Sequence, residues 1–327
     1  MRCKYQFQSV LAPSIEMYKQ YCEASGCWSE SRCANIGAFD RFCYENLGKN
    51  ESLTQEVVDL WFKAKECEIA NSCRSRVYPA VGLLQYMIDR RLTDIDIPRI
   101  PDSMPCTYVP HFYSSCELVS FFQACDTLKR QGKQSVRNAI NLQLTVPVIF
   151  RFMYSTGSRP FEARLLKRSN INLDNGVISF EKSKKGMQHF TVLHDSMLEM
   201  AIQYDKEIDH YYPDRLYFFP GYKDSLPHTD DWLWKYYHKI WSEVSCEHSV
   251  PYDFRHNYAI ENINSWNGTV YEQFDKLVYL SKTMGHATLE STRYYYHFSS
   301  PLSKLVRERT EKGFDQMFPE VNYEDYR

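Results

Sequence analysis

Apolar residues recur at helical spacing through the first hundred positions. Ile15, Tyr18 and Cys22 fall on one side of a segment opened by Pro13 and Ser14, and Ile36, Phe39, Cys43 and Leu47 form a second stripe. Thr54 stands where an N-cap hydroxyl would, ahead of Val57, Leu60, Trp61 and Ala64, which are expected to face inward. Val77, Val81, Leu84 and Ile88 give a fourth stripe. These periods predict a bundle of four short helices over residues 1–107, an arrangement used by many unrelated proteins.

The texture then changes. Pro98, Pro101, Pro105 and Pro110 remove backbone donors and fix φ, so neither a helix nor a central strand fits, and a domain boundary is expected there. Residues 108–327 form the second predicted domain. Ser114-Ser-Cys-Glu117 reads as a capping box before Leu118, Phe121 and Phe122. Pro147 is expected in the first turn of an apolar helix running from Val148 to Tyr154, which Gly157 ends. Arg159 follows that turn, and Glu162, Leu165 and Leu166 belong to a second short helix.

The clear β signal is the Asn175-Gly176 turn with alternation at Ile178 and Phe180, then a lysine-rich turn and Phe190-Thr-Val-Leu193. Helices are expected again over Ser196–Ile208, Asp231–Val244 and Phe254–Ile263. The segment from Asn262 to Leu280 reads as a long connection. The fold class is mainly α with a small antiparallel β-sheet: an N-terminal helical domain, then an α+β domain.

A hydrophobic content of 43% is enough for ordinary packed cores, and sparse Gly and Pro exclude low-complexity and collagen-like chains. No apolar run approaches a membrane span, and the first residues carry no apolar signal region, which points to a cytoplasmic protein. Eleven cysteines, an odd count without a Cys-x-x-Cys pair, read as reduced thiols packed as small hydrophobes. Cys22, Cys27 and Cys33 are irregularly spaced with no histidine among them, so no metal site is expected. A net charge of -2 does not suit a chain that coats nucleic acid, but a groove needs only local basicity. Candidate basic patches are Arg74 with Arg76, and Lys129, Arg130, Lys133 and Arg137.

The candidate chemistry centres on Met284-Gly-His-Ala-Thr-Leu-Glu-Ser-Thr-Arg-Tyr-Tyr-Tyr-His297. A phenol beside phosphate-binding groups can act as a nucleophile, given cationic forks for the phosphate and a donor for the leaving oxygen. Upstream stand Thr156-Gly-Ser-Arg-Pro-Phe-Glu162, Glu181-Lys-Ser-Lys184 and Tyr252-Asp-Phe-Arg-His256. Arginine stays charged and binds two phosphate oxygens at once. Arg159 and Arg255 stand far apart in sequence, so only folding could bring them to one phosphate. A lysine on a hairpin turn could protonate a leaving oxygen, and Lys182, Lys184 and Lys185 compete for that place.

This ordered set resembles the tyrosine recombinase (phage integrase) family, over about residues 108–297. The resemblance implies that Arg159 and Arg255 hold the phosphate, with Glu162 orienting the first. It implies that Lys184, or else Lys185, protonates the leaving 5′ oxygen and that His286 bonds the attacked phosphate. Tyr295, nine residues beyond His286, takes the nucleophile's place and His297 the place of a further histidine. Tyr252 departs from the family's usual histidine or lysine, and a phenol is a poor base at neutral pH.

The expected activity is site-specific DNA breakage and rejoining through a 3′-phosphotyrosyl link, without metal, ATP or other cofactor, in an integrase of a bacterial mobile element. The expected partners are double-stranded DNA, a tetramer of this chain on paired sites and accessory DNA-bending proteins, with no membrane. Residues 300–327 are expected to dock on a neighbouring protomer. The alternatives are supercoil relaxation of the type IB topoisomerase kind and DNA binding by a degraded site.

Overall fold

The structure is a computed structural model that describes residues 5–48, 52–104, 108–128, 135–181, 188–266 and 270–298, without the side chains of 270, 271, 297 and 298. It divides into two compact units, Met1–Tyr108 and Val109–Arg327.

The first unit is built on α1 (Ala12–Ala24), α2 (Glu30–Asn46), α3 (Gln55–Phe62) and α4 (Ala70–Asp89). The predicted stripes of the first two helices are buried, at Ile15, Tyr18 and Cys22 and at Ile36, Phe39 and Cys43. Thr54 caps α3 by accepting from the Val57 N–H. The inward face of α3 differs from expectation. Leu60 is exposed and Ala64 lies beyond the helix end, whereas Val58 and Phe62 are buried. An eight-residue helix has little more than two turns, so a shift of one position turns its apolar face.

The proline-rich stretch is not free chain. The Gln55 amide pairs with both backbone groups of Asp96, at 2.9 Å each. Asn71 does the same with Met104, at 2.8 and 2.9 Å. Two side-chain amides thus supply partners that a proline-rich segment cannot find in a helix or sheet. Among the described residues eight cysteines are free thiols, but Cys33 is disulfide-bonded, so the reduced-thiol expectation fails there.

The second unit contains α5 (Ser115–Asp126), α6 (Val136–Thr156) and α7 (Pro160–Arg164). A three-stranded antiparallel sheet follows, of β1 (Ile171–Asn172), β2 (Val177–Phe180) and β3 (His189–Val192), in that order. Then come α8 (Asp195–Asp209), α9 (Asp230–Val244), α10 (Asp253–Ser265), α11 (Val270–Thr283), the short α12 (Glu290–Arg293) and a 3-10 turn over Tyr294–Phe298. The mainly helical fold class with a small antiparallel sheet is the one expected. The Ser114–Glu117 capping box is present in full.

Phe121, Phe150, Tyr237, Trp241 and Phe254 form an aromatic core joining α5, α6, α9 and α10. Pro147 lies inside α6, not in its first turn; the helix starts at Val136 under a Ser135 cap. The buried residues around the proline, Val146, Val148, Ile149 and Phe150, hold the helix despite the missing donor. The segment 262–280 is largely helical, made of the end of α10 and much of α11, rather than a long connection.

Candidate active site

Gly157 ends α6 in the left-handed conformation, at φ 61°, and turns the chain sharply enough to make Arg159 the N-cap of α7. A side chain at Gly157 would collide with the Tyr258 ring. At the start of α7, Glu162 reaches back along its own helix. It accepts from the Arg159 backbone N–H at 2.8 Å and from Arg159 Nη1 at 2.6 Å. The Glu162 side chain is almost wholly buried. Both bonds run to the Glu162 carboxylate, which fixes the arginine's direction and satisfies the otherwise open N-cap N–H.

Arg255 lies in the first turn of α10 and is only 1% exposed. Its Nη1 donates to the Gly157 carbonyl at 2.8 Å and its Nη2 to the Met284 carbonyl at 2.6 Å. Arg159 Nη2 donates to the next carbonyl, that of Gly285, at 3.1 Å. Two guanidiniums from distant parts of the sequence therefore meet on consecutive carbonyls of one turn. Gly285 makes that turn possible with a φ of 61°. Burial and the neighbouring Arg159 lower the Arg255 pKa from its ordinary value.

His286 follows at once. Its Nδ1 lies 2.7 Å from Thr292 Oγ1, which fixes the ring orientation. Burial, then Arg255 and Arg159, push its pKa down to about 3, so the imidazole is neutral near pH 7. Tyr295 is buried at 3% exposure among Ala259, Ile260, Ile263, Leu280 and Met284. Its ring centroid is 6.1 Å from that of His286 and 5.5 Å from that of His256. Burial pushes the phenol up to about 12, while Arg255 acts in the opposite direction. Tyr294 is exposed, which distinguishes it from Tyr295 within the tyrosine triplet.

Arg159, Glu162, Arg255, His286 and Tyr295 are thus brought into one neighbourhood. Tyr252 joins them through His256, whose ring lies 5.1 Å from its own. Sequence reasoning gave His256 no role, although it stands next to Arg255 and one helical turn after Tyr252. Burial, then Arg255, lowers its pKa to about 4, with Asp253 opposing.

His189 was also missed. It opens β3 and is buried beside Glu162, with Nε2 3.8 Å from Glu162 Oε2. An apolar-alternation reading of β3 looks to Phe190 and Val192, and no short-range signal singles out this histidine.

Lys182, Lys184 and Lys185 lie outside the described residues, as do Lys129, Arg130, Lys133 and the segment 300–327. The His297 side chain does too. Of the other basic candidates, Arg74 donates to the Pro101 carbonyl at 2.9 Å. Arg137 donates to the Tyr211 carbonyl at 2.8 Å and pairs with Asp224.

Arg76 is held within the first unit. Its guanidinium is only 11% exposed, pairs bidentately with Glu68 and donates to the Trp61 and Lys63 carbonyls. It ties α3 to α4. Among the described residues, no cluster of three or more His, Cys, Asp or Glu could hold a metal, and no helix is long and apolar enough to cross a membrane.

Residues 114–300 match the phage integrase family, and the chain belongs to it. It is 25% identical over 207 residues to y4rE of Sinorhizobium fredii, a protein of the integrase/recombinase type. That match covers 61% of this chain and 64% of the relative, so the chain spans less than two thirds of that relative's length. The fold resembles that of XerH site-specific recombinase bound to difH substrate, with a TM-score of 0.59 and 17% identity, covering 89% of this chain and 82% of that one. It also resembles a lambda integrase tetramer bound to a Holliday junction, with a TM-score of 0.56 and 14% identity, covering 89% and 78%.

Proposed function

We propose that the chain is a tyrosine-type site-specific DNA recombinase and that Tyr295 is its nucleophile. The observation that carries this reading is the meeting of Arg159 and Arg255 on the Met284 and Gly285 carbonyls, next to His286 and close to Tyr295. A phosphodiester resists attack because its oxygens are negative, and two fixed guanidiniums offset that charge at the transition state.

In the proposed step, Tyr295 Oη forms a bond to phosphorus and the P–O5′ bond breaks. The phenolic proton leaves to a base, and O5′ takes a proton from a hairpin lysine, Lys184 by family likeness or Lys185 beside it. The 3′-phosphotyrosyl link keeps the bond energy, and a 5′-hydroxyl from the partner strand reverses the chemistry. Neutral His286 would donate a hydrogen bond to the phosphate, Glu162 would hold Arg159, and His297 would stand beside the nucleophile.

Double-stranded DNA is the proposed partner, which fits the substrate held by the XerH structure. A tetramer on paired sites is proposed by likeness to the lambda integrase assembly. Residues 1–107 would close on DNA, the chain's phosphate contacts would be Arg74, Arg76, Lys129, Arg130, Lys133, Arg137 and Lys185, and 300–327 would reach a neighbouring protomer. Accessory DNA-bending proteins and a bacterial cytoplasmic setting belong to the same proposal.

A nicked suicide duplex tests it. The wild-type chain should accumulate a covalent protein–DNA adduct, and Tyr295→Phe should bind DNA yet form none. Adduct formation by Tyr295→Phe, with loss in Tyr294→Phe or Tyr296→Phe, would move the nucleophile. Supercoil relaxation by single protomers would favour a topoisomerase instead.

A further inference from the structure

We infer that His189 is a positioning residue for the Arg159 guanidinium, because one buried imidazole backs both groups that anchor it. Arg159 Nη1 is held by Glu162 and Arg159 Nη2 by the Gly285 carbonyl. His189 touches each anchor from β3. Its Nε2 stands 3.8 Å from Glu162 Oε2, and a methyl group placed on Gly285 would lie 2.5 Å from its Nδ1. The ring is stacked on Phe180 across the β2–β3 pair, at 4.8 Å and 27°, so it cannot tilt away from Gly285 without breaking that stack. The Met284–Gly285 turn that it supports also receives Arg255 and leads into His286.

The strand itself gives a second, independent observation. β3 turns His189 and Thr191 inward and exposes Phe190 and Val192, at 57% and 62%. Hydrophobic burial alone favours the opposite assignment. His189 Nδ1 is moreover buried without a hydrogen-bond partner, a cost that an apolar ring would avoid. A buried polar group kept under such terms points to a role beyond packing. The charged and titratable groups around the ring are Glu162, Arg159 and Arg255, with His286 across the turn. Burial keeps the imidazole neutral against the pull of Glu162. A neutral ring can support the carboxylate without competing with Arg159 for it.

This inference rests on the reading of Arg159 as a phosphate-binding cation, and its test separates the two. Rates of covalent adduct formation are measured in single turnover on the nicked duplex, alongside DNA affinity and thermal unfolding. His189→Gln should remain folded and bind DNA within about threefold of wild type, yet form adduct at least about tenfold more slowly. Added to Arg159→Ala, it should cost almost nothing further, since the group it positions is gone.

A methylphosphonate at the scissile position removes one negative oxygen and so lessens the need for a cation. It should shrink the defects of His189→Gln and Arg159→Ala together. Wild-type rates in His189→Gln, or rate losses that multiply in the double variant, would overturn the inference and leave the recombinase reading standing. A wild-type chain that forms no Tyr295-linked adduct would overturn both.

Where His189→Gln does not fold, the side chain is left intact and its ring nitrogens are followed by NMR of 15N-histidine-labelled protein. In Arg159→Ala the His189 titration should move to higher pH than in the wild type, because a neighbouring cation has been removed. Superimposable titrations would overturn the inference.

Discussion

Arg255 illustrates how one buried side chain can join two helix ends. Its two terminal nitrogens span from the end of α6 to the end of α11, through the Gly157 and Met284 carbonyls. A lysine keeps the charge but cannot make both bonds in one plane. Arg255→Lys should therefore slow adduct formation by about a hundredfold or more and also lower the thermal midpoint. Adduct formation near the wild-type rate would show that charge alone suffices. That Arg159, Arg255, His286 and Tyr295 come together was expected from the sequence, because each sits in a short motif whose spacing is local. The placement of His189 beside Glu162 and of His256 beside Tyr295 was not, because it depends on which strand or helix face turns inward.

Elements carry the same lesson in their registers. The Asn175-Gly176 turn and the burial of Ile178 and Phe180 followed from the sequence, since turn chemistry and alternation agree there. In β3 they do not agree, because the pairing of Ile178 with Thr191 and of Phe180 with His189 sets the inner face. Leu193, just past the strand, returns to the interior. Two substitutions should therefore behave oppositely to a reading of hydrophobicity alone. Phe190→Thr should change unfolding stability by no more than about 0.5 kcal/mol, as at other exposed sites. Leu193→Ala should cost about 2–5 kcal/mol. A loss of several kcal/mol in Phe190→Thr, measured by urea unfolding, would mean that this ring is covered in solution. The placement of Pro147 and the extent of α6 were misread for a related reason. Proline suggests a helix start locally, whereas apolar contacts along the buried face keep α6 continuous through it.

At the scale of the whole molecule, the formal net charge of -2 gives no hint that Arg159 and Arg255 meet at one turn. Burial, with nearby arginines adding to it, makes several histidines expensive to protonate. His228 is 3% exposed and stacks on Trp232 at 3.6 Å; burial, then Arg164, pushes it down to about 3. His286 also falls to about 3 and His256 to about 4. Each is depressed in the folded state, so the unfolded chain binds the proton first as pH falls below about 6.5. Their stabilising contributions are thus fully present above that pH and are lost on acidification, until the folded-state values are reached. Each such histidine contributes a slope of up to about 1.4 kcal/mol per pH unit in that window. His228 lies away from the candidate active site and isolates the effect. Urea unfolding of the wild type should show a clear loss of stability between pH 7 and pH 5.5. In His228→Gln that loss should shrink by about 1 kcal/mol, because one proton-linked group has been removed. An unchanged pH dependence in His228→Gln would mean that this ring takes up its proton without unfolding, and that its stack on Trp232 tolerates the charge.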